Sequence, residues 1–396
     1  MAKLRVAMVA PPWLAMPIKG YGGIELVVQT LVEELKKLDV EVEIFANGAH
    51  TIRGVTTHSY YNDELFDKID YPYYDAPLQV MQTHLHHALG IIEKGNFDII
   101  HDHNPYIGPS FFALASRIKG IPPVLHTFHG PPFSSDSMLK GGQEDNRPQL
   151  QEISDLGRLF FVCISKAMAA SAPKEINSHL LPAVYNAIEV DDFPFVEKKK
   201  NYYITLARFT ADKNQRLAAK YAVKRKKRLR MAGTVAGIGS NSKLLFELSN
   251  PLSPYRQNEE FKYYSDNILP YVLRYPRITY SGNLSGKHKM KFVSEAKALL
   301  FPIDWEEPFG MAVIEALACG TPVVAMNRGA MSEIIEHGKT GFLANTEEEF
   351  FDYADRVGEI DPVECRASIE RKFSARGMAK KYIKRYEQII ADSSKK

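Results

Sequence analysis

Short runs of consecutive apolar residues alternate along the chain with longer stretches in which apolar residues recur at helical spacing. The clearest runs lie at residues 4–10, 298–302 and 323–326, and uninterrupted runs of this length are typical of strands buried on both faces of a parallel sheet. Helical spacing occurs at residues 24–38 and 376–392. The alternation of the two patterns predicts an α/β protein built from β-α-β units.

A charged segment at residues 197–201 (EKKKN) interrupts the alternation, which restarts in the apolar run that follows. At 396 residues the chain is long enough for two domains, each with its own hydrophobic core. We therefore predict a first domain over residues 1–195, a second over residues 196–375 and a final helix over residues 376–396.

Residues 301–325 (FPIDWEEPFGMAVIEALACGTPVVA) place two carboxylates at the two ends of one short predicted helix. Pro308 suits the first turn of this helix, and a Gly-Thr-Pro turn ends it before the next strand. The helix is apolar almost all round, so Glu315 lies where burial is expected, and a buried carboxylate needs a partner. Glu307 lies eight residues earlier, which separates the two carboxylates by roughly 12 Å along a helix axis.

The start of the same helix is a candidate phosphate site. The backbone N–H groups of Phe309, Gly310 and Met311 would be unpaired donors of the first turn, and Gly310 leaves room for a ligand. A nucleotide sugar could place its pyrophosphate here, with one carboxylate on the sugar and the other on the ribose. Alternatively, Glu307 only stabilises the N-terminus of the helix through its negative charge, and Glu315 pairs with a basic residue of the core.

The segment from Glu307 to Glu315, with the Ala-Cys-Gly-Thr-Pro-Val-Val and Gly-Lys-Thr-Gly-Phe-Leu sequences that follow it, resembles glycosyltransferase family 4. The resemblance implies a GT-B fold, with two Rossmann-like parallel-sheet domains facing each other across a cleft. The first would bind the acceptor and the second the nucleotide sugar, and the C-terminal helix would cross back to the first. The implied reaction moves a hexose from a nucleotide diphosphate sugar, UDP- or GDP-linked, to an unidentified acceptor with retention.

The resemblance also assigns roles to individual residues of the predicted second domain. Arg208 and Lys213 match two cations that neutralise the donor diphosphate, and we expect them to act in catalysis together with Glu307. Asn283 and Leu284 lie in a loop that lines the nucleotide base in the family.

Three residues of the predicted first domain match the family as well. His129 ends a strand where the family carries a histidine that approaches the donor sugar, and we count it as catalytic. Gly22 and Gly23 match a loop that borders the donor phosphates and the acceptor. Glu25, just after them, is a weaker candidate for contact with the acceptor.

We expect the reaction to need no metal and no cofactor. The chain has no Asp-x-Asp motif, and two cations with a helix N-terminus can replace a divalent ion at a diphosphate. The cluster His101-Asp102-His103-Asn104 at a strand end could bind a metal, but a metal site needs further ligands nearby. We interpret this cluster as a polar rim of the ligand-binding cleft.

The composition restricts the choice of partners. A formal net charge of +3 is too small to indicate nucleic-acid binding. Three widely spaced cysteines indicate buried thiols in a reducing cytoplasm. No apolar stretch has the length of a membrane span. The basic run at residues 220–230 indicates either a solvated helix end or a peripheral contact with anionic lipid or glycan.

Two other functions would fit parts of this pattern. Another GT-B enzyme, an epimerase or a phosphorylase, would share the same fold, and a phosphorylase would carry pyridoxal phosphate on a lysine. A catalytically degenerate GT-B protein would bind sugars without turnover. The presence of both glutamates and both cations favours a working glycosyltransferase.

Overall fold

The computed structural model describes residues 3–18, 22–65, 76–105, 107–130, 147–176 and 178–393. The chain divides into two compact units, which we call unit 1 (residues 1–188 and 375–396) and unit 2 (residues 189–374). The first division thus falls between residues 188 and 189, whereas the charged segment predicted it between 195 and 196.

The residues just before the charged segment explain this difference. Val196 donates its backbone N–H to the carbonyl of Cys319 at 3.4 Å. The Arg366 guanidinium donates to the carbonyl of Phe193 at 2.6 Å. The chain is therefore already bonded to unit 2 before the charged residues begin.

The described residues of unit 1 form a sheet of seven strands. In chain order the strands are β1 (Arg5–Val9), β2 (Glu41–Phe45), β3 (Thr56–His58), β4 (Ile99–Asp102), β5 (Val124–Phe128), β6 (Leu159–Cys163) and β7 (Leu180–Leu181). Their spatial order is β3-β2-β1-β4-β5-β6-β7, and every pair is parallel. The apolar run that predicted the first strand forms β1, whose last four residues are fully buried.

Unit 2 contains a second parallel sheet, of six strands. In chain order these are β8 (Tyr203–Leu206), β9 (Leu229–Ala232), β10 (Ile278–Tyr280), β11 (Ala298–Phe301), β12 (Val323–Met326) and β13 (Gly341–Ala344). Their spatial order is β10-β9-β8-β11-β12-β13. In both sheets the order reverses beside the first strand, which is the arrangement that places ligand sites at the carboxyl ends of strands.

Helices connect the strands within each unit. Among the described residues of unit 1 these are α1 (Gly23–Lys37), α2 (Ala76–Ile92), α3 (Ile107–Ala115), α4 (Arg147–Leu156) and α5 (Lys166–Ala170). Those of unit 2 are α6 (Gln215–Lys224), α7 (Asn241–Ser249), α8 (Glu259–Asn267), α9 (Leu269–Arg274), α10 (Gly286–Ser294), α11 (Met311–Ala318), α12 (Met331–Ile334), α13 (Glu347–Arg356) and α14 (Pro362–Lys372).

The last helix, α15 (Ala375–Ser393), belongs to unit 1. It packs against α1, and the apolar face that predicted it is buried through Tyr382, Tyr386 and Ile389. The chain therefore leaves unit 1 once and returns to it at the end. Among the described residues, no helix is both long enough and apolar enough to cross a membrane.

Candidate functional site

The carboxyl ends of the unit 2 strands carry most of the predicted site residues. Lys213 follows β8, Asn283 follows β10 and Glu307 follows β11. Because the strands of this sheet are parallel, their carboxyl ends lie along one edge, where open α/β sheets bind ligands. The topology alone therefore brings the candidate cation and the candidate carboxylate to the same edge of unit 2.

The helix beside these residues, α11, begins later than predicted. Its first residue is Met311, so Pro308 precedes the helix and does not lie in its first turn. Gly310 is the N-cap, with a left-handed φ of 101°, and a Cβ at this position would lie 2.8 Å from Cε of Met331. Only glycine satisfies both conditions without strain.

The later start also corrects the placement of the carboxylates and of the backbone donors. Glu307 lies in the loop before α11, and Glu315 lies in the middle of the helix, so the two are not at its two ends. Phe309 is 2% exposed and belongs to the core. The Gly310 carbonyl accepts the first helical hydrogen bonds of α11. The N–H of Met311 therefore precedes the hydrogen-bonded turn and suits an anion.

Glu307 and Lys213 form an ion pair at this edge. The distance between Glu307 Oε2 and Lys213 Nζ is 2.5 Å, and the side chains are only 10% and 14% exposed. Trp305 joins the pair, because its Nε1–H donates to Glu307 Oε2 at 2.9 Å and its ring centroid lies 4.4 Å from Lys213 Nζ. The predicted catalytic carboxylate and one of the two predicted cations thus contact each other.

Backbone contacts hold both sides of this ion pair. Ala330, in the loop after β12, donates its N–H to the carbonyl of Glu307 at 2.9 Å. Gly329 has a φ of 57°, and a Cβ on it would lie 2.4 Å from the nitrogen of Glu307, so the approach requires glycine. On the cation's side, the carbonyl of Asp212 accepts from the N–H of Asp304 at 2.7 Å.

The second predicted carboxylate has a basic partner of its own. Glu315 Oε1 lies 2.7 Å from Nζ of Lys289, and the two side chains are 5% and 25% exposed. Lys289 lies on α10, next to the loop of Asn283 and Leu284. Asn283 is exposed and Leu284 is partly exposed, so both can contact a ligand.

Arg208, the other predicted cation, forms its ion pair with a different acid from the one that binds Lys213. Its Nη1 is 2.9 Å from Oε1 of Glu260, and its side chain is 48% exposed. The other oxygen of Glu260 accepts from the N–H of Ala236 at 3.1 Å. Arg208 is therefore a surface cation held by an acid of α8.

The predicted glycines of unit 1 lie at the start of α1, directly after the loop that follows β1. Gly22 is the N-cap of this helix and Gly23 is its first residue. Glu25, in the first turn, is 6% exposed, and burial raises its pKa to about 7, opposed by a hydrogen bond from its own backbone. This carboxyl is therefore partly protonated at neutral pH.

His129 follows β5 and is tied to a second histidine. Its Nε2 lies 2.8 Å from Nδ1 of His103. Burial, and secondly the nearby His126, lower the pKa of His129 to about 3. The imidazole is therefore neutral at physiological pH and acts through hydrogen bonds, without a positive charge.

The cluster at the end of β4 is not a polar rim, which corrects the prediction. His101, Asp102, His103 and Asn104 are at most 1% exposed, and they form internal hydrogen bonds. His101 Nδ1 lies 2.7 Å from the Tyr386 hydroxyl. His126 Nδ1 lies 2.6 Å from an oxygen of Asp102, and the Asn104 amide donates to the other at 2.7 Å. These side chains stabilise the interior of unit 1.

Within the ranges that the structure describes, no three His, Cys, Asp or Glu side chains are grouped so that they could hold a metal ion. The three cysteines are buried and unbridged.

Three basic side chains of the run at residues 220–230 form ion pairs with the acidic helix α13. Lys220 lies 3.2 Å from Glu347. Arg225 lies 2.8 Å from Asp355, which also approaches Lys227 at 3.2 Å. Part of the positive charge of this run is therefore compensated inside unit 2.

Two site residues were missed in the sequence, Trp305 and Lys289. Trp305 lies in the central stretch, and an aromatic residue with a polar N–H two positions before an acid was a usable signal. Lys289 gave none, because it lies on a helix with several other lysines.

Comparison with known proteins agrees with this architecture. A family model described as glycosyl transferases group 1 matches residues 188–369, and one described as glycosyltransferase family 4 matches residues 21–192. A D-inositol 3-phosphate glycosyltransferase of Arthrobacter sp. is 25% identical over 82% of this chain and 78% of its own. An uncharacterized glycosyltransferase of Methanocaldococcus jannaschii is 24% identical over 82% and 80%.

Solved structures share the fold. Sucrose-phosphate synthase from Thermosynechococcus elongatus superposes with a TM-score of 0.72 at 17% identity, over 98% of this chain and all of that one. The Anabaena protein HepE, in complex with UDP and glucose, gives a TM-score of 0.67 at 15% identity, over 97% and 99%.

The two parallel-sheet Rossmann-like units have the GT-B fold. The chain belongs to glycosyltransferase family 4, since the two family models together extend over residues 21–369. Its substrate class is therefore a nucleotide sugar.

Proposed function

We propose that this glycosyltransferase moves a hexose from a UDP-sugar to an acceptor hydroxyl, with retention at the anomeric carbon and without a divalent metal. The observation that carries the proposal is the contact of Glu307 with Lys213 beside the start of α11. A carboxylate suits sugar hydroxyls, whereas an ammonium and a helix N-terminus suit a diphosphate. The UDP named for HepE supports uridine, and GDP is the alternative.

The chemistry of the leaving group assigns the roles. As the bond between sugar and diphosphate breaks, negative charge grows on the phosphate oxygens. Lys213 would stabilise these oxygens more in the transition state than in the ground state, and such preorganised electrostatic stabilisation is often the largest contribution to catalysis. Glu307 would hold the sugar through its hydroxyls.

Arg208 would supply the second cation. Arg208 forms an ion pair with Glu260, and the Arg208 side chain is 48% exposed. Exposed ion pairs contribute little free energy to stability. A phosphate of the donor could therefore replace Glu260 as the partner of Arg208 at a small cost in free energy. An arginine also offers a bidentate fork to phosphate, which a lysine does not.

The remaining residues would bind the donor. Glu315, held by Lys289, would accept hydrogen bonds from the ribose hydroxyls. Contacts to the base and the pyrophosphate are assigned to Asn283, Leu284, Gly310 and Met311. From unit 1 we retain His129 as a catalytic residue and Gly22 and Gly23 as donor-binding residues. Phe309 supports the turn from within the core.

The first experiment identifies the nucleotide. Thermal unfolding is measured with UDP, GDP and ADP, and a ligand at about 100 times its Kd stabilises by roughly 2.7 kcal/mol. We expect UDP to give the largest shift. UDP-sugars are then tested for UDP release and for the anomer formed, and α-linked product from an α-linked donor is expected. Binding of nucleotides with no turnover of any sugar donor would instead indicate a degenerate binding protein.

The metal requirement has its own test. Because Lys213, Arg208 and the start of α11 would together neutralise the diphosphate, UDP affinity and turnover should be the same in EDTA and in magnesium. A loss of activity in EDTA that manganese or magnesium restores would contradict this part of the proposal.

A further inference from the structure

Trp305 occupies a position beside the ion pair that the functional assignment leaves unexplained. Its indole N–H donates to Glu307 Oε2, the same oxygen that contacts Lys213 Nζ. Its ring lies over the Lys213 ammonium, with 4.4 Å between Nζ and the ring centroid. Trp305 therefore contacts both members of the pair, one with its edge and the other with its face.

The chemistry of indole restricts what this contact can do. The indole nitrogen can only donate, so Glu307 must accept. Two donors then occupy Oε2, and its two lone pairs are used. Oε1 has no hydrogen-bond partner within the described part of the chain. The carboxylate is thus oriented by one oxygen, and the other is available for a ligand hydroxyl.

The ring face restricts Lys213 in a similar way. A lysine ammonium carries three donor hydrogens on a flexible stem. One is directed to Glu307, and the attraction between the ammonium and the aromatic face limits the rotation of the stem. Phe301, on β11, adds a second ring at 5.9 Å from Nζ. The ammonium therefore lies within 5.9 Å of the centroids of two aromatic rings.

A role in core packing does not explain the position. The other tryptophan of the chain, Trp13, is 7% exposed and lies in the core of unit 1. Trp305 is partly exposed and lies in the loop between β11 and α11. A large aromatic residue at a partly exposed position, with its polar atom bonded to a candidate catalytic acid, indicates a function for that acid.

We propose that Trp305 is a positioning residue for sugar transfer: it fixes Glu307 by one oxygen and Lys213 by its ring face, so that both face the donor in one arrangement. This inference rests on the proposed function of the pair. It adds that the arrangement of Glu307 and Lys213 depends on an aromatic residue that does not itself contact the bonds that break and form.

The test separates the N–H from the ring. Trp305→Phe keeps a ring near Lys213 but removes the donor, and Trp305→Leu removes both. With the UDP-sugar that the wild type turns over, Trp305→Phe should lower kcat by about 10-fold while the Kd for UDP changes less than about 2-fold, since a hydrogen bond to a charged group is lost. Trp305→Leu should lose more.

A double-mutant cycle distinguishes positioning from general loosening of the loop. In a Glu307→Gln background, Trp305→Phe should cause little further loss, because the residue it positions has already been changed. Trp13→Phe serves as the matched control and should keep wild-type kcat. Wild-type kcat in Trp305→Phe, or independent losses in the double variant, would overturn the inference while leaving the proposed function intact.

Fluorescence gives a readout that does not need turnover. Trp13 and Trp305 are the two tryptophans of the chain, so Trp13→Phe leaves Trp305 as the reporter. We expect UDP to change its emission with the same Kd that thermal stabilisation gives. UDP binding with unchanged emission would overturn the inference alone, whereas failure of every nucleoside diphosphate to bind would overturn the proposed function and the inference with it.

Discussion

At the scale of single residues, the site of unit 2 is two carboxylates, each bonded to a lysine on another element. Glu307 bonds to Lys213 at 2.5 Å and Glu315 to Lys289 at 2.7 Å. Both carboxylates are at least nine-tenths buried. Removing one partner of such a pair leaves the other charge uncompensated, which costs more than the net contribution of the pair.

The two carboxylates should differ in function. Glu307→Ala should mainly lower kcat, because it would remove the proposed contact to the sugar, whereas Glu315→Ala should mainly weaken UDP binding. Each change removes charge-assisted hydrogen bonds worth on the order of 1.5 to 3 kcal/mol. Calorimetric Kd values for UDP and kcat for the preferred donor give the comparison. Equal losses of UDP affinity in both variants would refute the division.

Lys289 allows a matched control for this experiment. Lys289→Met should weaken UDP binding in the same direction as Glu315→Ala, because Glu315 loses its partner. Lys291 lies on the same helix and is exposed, so Lys291→Met should bind UDP as the wild type does. Similar losses in both lysine variants would indicate a general effect of charge on the helix.

The buried histidines of unit 1 predict a pH dependence of stability. His84 donates its Nε2–H to the Ala10 carbonyl at 2.9 Å, and burial lowers its pKa from 6.5 to about 4. The unfolded chain therefore binds a proton between these values that the folded chain does not. Stability is present above pH 6.5 and is lost as pH falls towards 4.

The measurement is urea unfolding of the full chain between pH 4 and 7, followed for unit 1. In wild type the free energy of unfolding should fall with decreasing pH, and His84→Gln should reduce the slope by about one proton. Comparing the two proteins cancels the opposite contribution of Glu25, whose raised pKa favours the folded state at lower pH. An unchanged slope would show that His84 does not contribute.

At the scale of elements, α15 is bonded to the sheet of unit 1 through buried hydroxyls. Tyr386 contacts His101 on β4 at 2.7 Å, and Tyr382 contacts Thr127 on β5 at 3.1 Å. The other nitrogen of His101 reaches the same threonine at 2.8 Å. The C-terminal helix is thus part of the polar interior of unit 1.

Tyr386→Phe tests this attachment. It leaves a buried nitrogen of His101 without its partner, which should destabilise the protein by about 1 to 3 kcal/mol. Tyr60→Phe is the control, because Tyr60 is 54% exposed and should leave stability unchanged. Chemical denaturation of the two variants gives the values. Equal stability of Tyr386→Phe and wild type would show that the hydroxyl is dispensable.

At the scale of the whole molecule, two parallel sheets carry candidate residues at the carboxyl ends of their strands. The apolar runs and turn residues predicted these sheets because they act locally: the run at residues 298–302 becomes β11 and the one at 323–326 becomes β12. The family resemblance located Glu307 and Lys213. Their contact joins residues 94 positions apart, so nothing local could reveal it.

Other features depend on the same long-range packing. The cluster at the end of β4 is polar in sequence, but it is buried, and Tyr386 of α15 and His126 of β5 form hydrogen bonds with His101 and Asp102. The later start of α11 follows from the left-handed φ of Gly310, which ends the loop there. Pro308 would have suited an earlier start equally well.

The central claim is that Lys213, paired with Glu307, stabilises charge on the leaving diphosphate. The direct measurement is kcat of wild type and Lys213→Ala with the natural UDP-sugar and with a donor whose leaving group is already strongly activated. Lys262→Ala is the control, because that lysine lies in an exposed pair with Glu259.

With the natural donor, the kcat of Lys213→Ala should be lower by roughly 100-fold or more, as when other enzymes lose a single hydrogen-bond donor to an oxyanion. With the activated donor the loss should shrink, because less charge then needs stabilisation, and Lys262→Ala should match wild type with both donors. A loss of the same size with both donors, or no loss with either, would contradict the role assigned to Lys213.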